Sequence, residues 1–150
     1  MTGWRLGWLV APDDGVGDAE KLAQNVYLAA STPAQYAALA AFTPEAQAIF
    51  EERRREFQAR RDFLLPALRE LGFHIPVTPD GAFYLYADCG RFTDDSYGFA
   101  LRLLEETGVA FTPGIDFGHH LPQRHVRFAY TNAIPQLGEG VERLRAALRG

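Results

Sequence analysis

"PEAQAIFEERRREFQARRDFLLPALREL", Pro44–Leu71, is the longest unbroken pattern in the chain, and its reading sets the rest. Ala46, Phe50, Phe57, Leu64, Leu68 and Leu71 recur at spacings of three, four and seven, one apolar stripe on a helix. Thr43 and Pro44 supply a start, and Gly72 a stop. At 1.5 Å per residue the helix runs about 40 Å, more than one compact domain of this size needs. It is therefore expected to join two bodies, residues 1–45 and residues 46–150. Pro66 lies inside it and is expected to kink it, because proline lacks the N–H and its ring crowds the preceding turn. The run "ERRREFQARR" is basic, but Glu51, Glu52 and Glu56 stand at distances that pair with Arg55 and Arg60. That pattern reads as a solvated helix face rather than a nucleic-acid surface.

Downstream, strands and helices alternate. "GAFYLYADC" (81–89), "GVAFTP" (108–113) and "HVRFAYT" (125–131) read as strands. Residues 97–107 read as a helix capped near Asp95 or Ser96 and ended by Gly108. Residues 135–148 form a closing helix with Leu137, Val141, Leu144 and Leu148 on its buried side. Three helices against a small sheet make an α+β layer domain. Upstream, "WRLGWLVAP" (4–12) alternates like a strand and is followed by an Asp13-Asp14-Gly15 turn. A helix is expected over 18–29, capped by Asp18, and "STPAQYAALAAF" (31–42) forms a second behind Ser31 or Thr32 and Pro33. A packed strand starting at residue 4 is unusual, since domains ordinarily begin with a few loose residues. It raises the question of what precedes it.

Composition narrows the class. With 150 residues, 47% of them hydrophobic and 23% charged, the chain reads as a soluble globular protein. A net charge of -4 gives no reason to expect nucleic acid or an anionic membrane as partner. No apolar run approaches the ~20 residues of a membrane span, and no secretory signal follows Met1. Cys89 is the single cysteine, so no internal disulfide is possible, and a reducing cytoplasm is the expected compartment. Lys21 is the only lysine among the 15 Lys and Arg residues.

Several residues carry chemical possibilities. Arg5, beside Gly7, could grip a phosphate with two parallel hydrogen bonds, or could be an ordinary arginine at a strand edge. In "HVRFAYTN", Val126, Phe128 and Tyr130 form one face and Arg127, Ala129 and Thr131 the other. Arg127 is either a carboxylate-binding group held on a rigid strand or a solvated charge on an open sheet face. "FTPGIDFG" (111–118) joins two strands through Pro113, Gly114 and Gly118, as a ligand-closing loop or a tight connection. His74, His119, His120 and His125 lack a metal-ligand spacing, and no metal site is expected. No Ser-His-Asp or Cys-His arrangement has sequence support.

Taken together, these segments resemble the C-terminal part of class I/II aminotransferases, the pyridoxal-phosphate enzymes of fold type I. "MTGWRLGW" resembles the segment just after the family's Schiff-base lysine, and "STPAQYAALAAF" the active-site turn and helix that follow. "GAFYLY", "VAFTPGIDFG" and "VRFAYTN" resemble the small-domain strands with their proline-glycine-phenylalanine-glycine loop. The resemblance covers essentially the whole chain. It implies an α/β fold: the last strand and helices of a large cofactor domain (1–45) plus a small α+β domain (46–150). It implies that Arg5 binds the cofactor phosphate and Ser31 lies at a turn towards the neighbouring subunit's site. Arg127 would pair with the substrate α-carboxylate, and Gly114 and Phe117 would belong to the loop closing over substrate.

The implied activity is transfer of an amino group between an amino acid and a 2-oxo acid, with pyridoxal 5'-phosphate as cofactor, in a cytoplasmic homodimer. In the family pattern the cofactor lysine precedes the segment that begins at Met1, and Lys21 does not match its position. The chain is thus expected to be a fragment with no catalytic residue of its own, inactive alone. Two rival readings are a non-catalytic folding or interaction module and a decarboxylase or synthase using the same cofactor.

Overall fold

The structure is a computed structural model that describes residues 2–149. A 3-10 turn, Thr2–Trp4, precedes three helices: α1 (Asp13–Val26), α2 (Thr32–Ala40) and α3 (Pro44–Leu71). Then come β1 (Tyr84–Asp88), α4 (Ser96–Thr107), β2 (Thr112–Pro113), β3 (His125–Ala129) and α5 (Ile134–Leu148), with 3-10 turns at Gly114–Asp116 and Pro122–Arg124. The chain divides into two compact units. One ends at Glu52 and the other begins at Arg53, so the division falls inside α3.

In the first unit the strand expected over 4–12 does not form. Trp4 closes the 3-10 turn, Arg5 has φ +51, and residues 6–12 are irregular. Alternation supplies a face, but a strand also needs a neighbour to complete its hydrogen bonds. No strand among the described residues pairs with this segment. Helix α1 begins five residues earlier than expected: Pro12 sits at the N-cap, and Asp13 and Asp14 occupy the first turn. Two carboxylates at the positive end of a helix favour that start over the Gly15 turn. The helix stops at Val26, and Leu28 follows with φ +69. Ala34 in α2 is buried, whereas Trp8, Leu9, Val10, Leu22 and Val26 are exposed.

In the second unit, β3 lies between β1 and β2, antiparallel to both. Tyr84 faces Ala129, Tyr86 faces Arg127 and Asp88 faces His125, while Thr112 faces Arg127 from the other side. This register gathers Leu85, Ala87, Val126 and Phe128 on one buried face. Leu68 of α3, Leu103 of α4 and Leu144 of α5 join them in a single core. Phe73 is the ring at its centre, 5.0 Å from Phe92 and 5.1 Å from Phe128.

Helix ends shape this unit closely. The Gly72 N–H donates to the Arg69 carbonyl and the Phe73 N–H to the Leu68 carbonyl, a Schellman stop with Gly72 at φ +106. Asp95 caps α4 by accepting from the Gly98 N–H at 3.0 Å, and Gly108 ends it at φ +70. Because Gly108 belongs to that helix stop, the strand expected over 108–113 contracts to Thr112–Pro113. The strand expected over 81–89 likewise begins only at Tyr84. Ala82 is held at φ +62, where its carbonyl accepts from the buried Tyr130 hydroxyl at 3.2 Å. Helix α3 has the expected bounds and continues through Pro66. Its stripe is buried at Leu64 and Leu68 but exposed at Phe50. No helix among the described residues is long and apolar enough to cross a membrane.

Gly72→Ala should destabilise the chain by about 1–2 kcal/mol, because an L side chain resists this backbone and its Cβ would lie 3.0 Å from Arg91 Nη1. Urea unfolding followed by circular dichroism measures the loss.

Candidate functional site

Strand β3 buries every second residue, so His125 and Arg127 emerge on the face opposite the core. The register sets Tyr84, Tyr86 and Asp88 beside them on that outer face, with Thr112 on the far side of Arg127. Arg127 carries the chemistry. Its Nη2 donates to the Thr112 hydroxyl at 3.3 Å, a long contact. Its Cζ lies 4.4 Å from the Phe117 ring centre and 5.4 Å from that of Tyr84. Rings at these distances attract a guanidinium through their quadrupoles, by about 0.5–2 kcal/mol according to solvent exclusion. The Nε of Arg127 is buried without a hydrogen-bond partner. A donor in that condition costs roughly 1–3 kcal/mol unless something accepts from it. A carboxylate oxygen is the natural acceptor, since the guanidinium edge matches two parallel N–H···O bonds.

Phe117 arrives by way of the turn Gly114–Asp116, whose Gly114 carbonyl accepts from the Phe117 N–H at 2.9 Å. Gly114 is buried, and a Cβ there would stand 2.5 Å from the Pro122 carbonyl oxygen, 2.7 Å from that of His125 and 2.9 Å from the Tyr86 hydroxyl. Only glycine lets these three approach. Tyr86 meets Phe117 edge-on, at 6.2 Å and 87°. Its ring lies flat against His125, at 4.9 Å and 6°. Burial, with a smaller contribution from Cys89, pushes the Tyr86 phenol above its ordinary 10.0, so it stays a neutral hydroxyl at physiological pH. At the rim, Asp88 accepts from the Gly90 N–H at 2.6 Å and lies 3.5 Å from Arg124.

Of the residues singled out in sequence, Arg127, Gly114 and Phe117 therefore meet in one place in the second unit. Arg5 and Ser31 lie in the first unit. Arg5 is exposed and follows the 3-10 turn in a left-handed conformation. Ser31 is the exposed N-cap residue of α2, and its hydroxyl makes no cap hydrogen bond. Sequence reasoning missed Tyr84, Tyr86, Thr112 and His125. Period-two alternation in "YLYAD" already put Tyr84 and Tyr86 on one face; what was lacking was the register that sets this face beside Arg127. His125 was weighed only as a metal ligand. No group of three or more His, Cys, Asp or Glu residues suited to a metal occurs among the described residues.

Comparison with known proteins gives a consistent result. The family model described as Aminotransferase class I and II matches residues 1–144. The chain is 39% identical over 144 residues to a valine–pyruvate aminotransferase of Mycobacterium tuberculosis, covering 96% of this chain and 37% of that protein. It is 36% identical over 148 residues to a (5-formylfuran-3-yl)methyl phosphate transaminase of Methanocaldococcus jannaschii, covering 99% and 39%. The crystal structure of an aminotransferase from Mycobacterium tuberculosis superposes with a TM-score of 0.91 at 39% identity, over 99% of this chain and 38% of that one. The chain thus spans well under half the length of the relatives it matches.

Behind the site, burial pushes the Cys89 thiol from its ordinary 9.0 up to about 11. An unfolded chain would release this proton near pH 9 and the folded chain only near 11. Over that window the unfolded state binds fewer protons, so this thiol's contribution to stability is fully present below pH 9 and is lost as pH rises towards 11. Denaturant midpoints of wild type and Cys89→Ala, compared from pH 7 to 11, should converge as the pH climbs.

Proposed function

Because this chain belongs to the aminotransferase class I and II family, we propose that it serves the transfer of an amino group between an amino acid and a 2-oxo acid, with Arg127 holding the substrate α-carboxylate. The observation that carries this reading is the Arg127 guanidinium itself, flanked by Phe117 and Tyr84 with a buried, unpartnered Nε. Rings beside the cation lower the local dielectric and strengthen its pull on an anion. Mounting on the central strand fixes the point from which the side chain reaches, and the flanking rings limit how its fork can turn, so a bound carboxylate would arrive in one orientation. Gly114 and Phe117 form the loop over the bound substrate in this reading.

The cofactor proposed is pyridoxal 5'-phosphate, with Arg5 on its phosphate and Ser31 a further cofactor-binding residue at a turn towards the neighbouring subunit's site. The donor set fits: a guanidinium grips a phosphate with two parallel hydrogen bonds, and the Ser31 hydroxyl is not engaged in capping. Arg5 also has φ +51, an uncommon conformation for a residue without glycine's freedom and one that clusters at functional sites. When bound, the cofactor supplies the electron sink that makes loss of the substrate α-proton accessible. Arg5 and Ser31 would anchor and orient it, and Arg127 would fix the substrate's charged end. We assign no catalytic residue to this chain, since Lys21, in α1, does not match the position of the family's cofactor lysine. A cytoplasmic homodimer is proposed as the working form; the exposed Trp8, Leu9 and Val10 of the first unit leave apolar surface for another chain or chain segment to cover.

Two measurements test this. In the holoenzyme, Arg127→Ala should lower kcat/KM by about tenfold or more, because an arginine–carboxylate pair is lost, and an unchanged value would defeat the assignment. The 150-residue chain incubated alone with pyridoxal phosphate should form no adduct that survives gel filtration and is bleached by borohydride.

A further inference from the structure

The polar contacts of Arg127 do not set the plane of its guanidinium. One 3.3 Å bond to the Thr112 hydroxyl is a weak constraint, and Nε has no partner. The plane is set by the rings, above all Phe117 at 4.4 Å. Phe117 is itself exposed and sits in an irregular loop, so its ring needs a support. Tyr86 supplies one, edge-on to Phe117, while its hydroxyl rests against the backbone at Gly114. Tyr86 stands on β1, at the edge of the sheet, and has His125 stacked flat against it. The His125 ring is in turn held by a hydrogen bond of 2.9 Å between Nδ1 and the carbonyl of Leu121, a residue at φ +45 in the same loop.

From this chain of contacts we infer that Tyr86 and His125 are positioning residues: their stacked rings hold Phe117 against Arg127 and so fix the plane in which the guanidinium presents its donors. The two rings also tie the loop at both ends, Tyr86 at Gly114 and His125 at Leu121. The functional meaning of that plane rests on the carboxylate-binding reading of Arg127, but the mechanical claim can be tested without it.

The test uses the full 150-residue chain with labelled arginine, and the Arg127 resonances assigned by Arg127→Lys. Facing the Phe117 ring, the Arg127 side-chain protons should be shifted upfield of those of the exposed arginines. Phe117→Leu should remove most of the shift, leaving the part due to Tyr84, and so calibrate it. Tyr86→Leu and His125→Ala should each lose about half of it or more, with core methyl resonances unchanged, as expected when a supporting aromatic contact is removed. His125→Phe, which keeps a flat ring, should recover most of it. An Arg127 shift that stays at its wild-type value in Tyr86→Leu and His125→Ala overturns the inference, and so does a shift indifferent to Phe117→Leu. Should His125→Ala fail to fold, Tyr86→Leu alone decides. The Arg127→Ala assay in the holoenzyme bears only on the carboxylate reading, so the two claims can fail separately.

Discussion

The period-two alternation of β3, a strand with antiparallel neighbours on both sides, is the constraint from which the second unit follows. Val126 and Phe128 turn inward and complete a core with Leu68, Leu103 and Leu144. Arg127, between them, is thereby forced outward, and a one-residue slip in register would bury the charge and expose the core. A slip of that kind is opposed by every buried contact of the strand at once. The place of Arg127 on the outer face is thus a by-product of apolar packing on the other face of the same backbone.

That arrangement explains why the site is aromatic. A guanidinium pointing from a sheet into water would be hydrated and mobile. Here Tyr84 and Phe117 replace part of that hydration with ring faces, which attract the cation without competing for its N–H donors. A carboxylate of the protein in the same place would neutralise the fork and occupy the donors a ligand needs. Asp88 is on this face, but its oxygens serve the Gly90 N–H and Arg124. Gly114 matters for a related reason: only without a Cβ can the loop turn tightly enough to set Phe117 over the guanidinium.

Legibility in the sequence followed how local the cause was. Helix α3 could be bounded to the residue because Thr43, Pro44 and Gly72 signal its ends and the stripe between them is long. The two faces of β3 were readable for the same kind of reason, since alternation needs no partner to be seen. What stayed hidden depended on distant residues. The neighbours of Arg127 come from "YLYAD" more than forty residues upstream and from Thr112, and register between strands is set by packing that no short window contains. Residues 4–12 failed in the opposite sense: local alternation was clear, but without a paired neighbour it produced no strand.

The two units therefore hold their candidate groups by different means. Arg127 stands on a strand whose reverse face is fully packed, and its geometry belongs to the fold of the second unit. Arg5 stands at φ +51 directly after Trp4, in a unit where Ala34 is buried and both Trp4 and Trp8 are exposed. A left-handed arginine costs about 1–3 kcal/mol and persists where surrounding structure over-determines it. Apolar side chains as exposed as Trp8, Leu9 and Val10 are the means by which a covering surface would do so, each contributing roughly 1.5–3 kcal/mol on full burial.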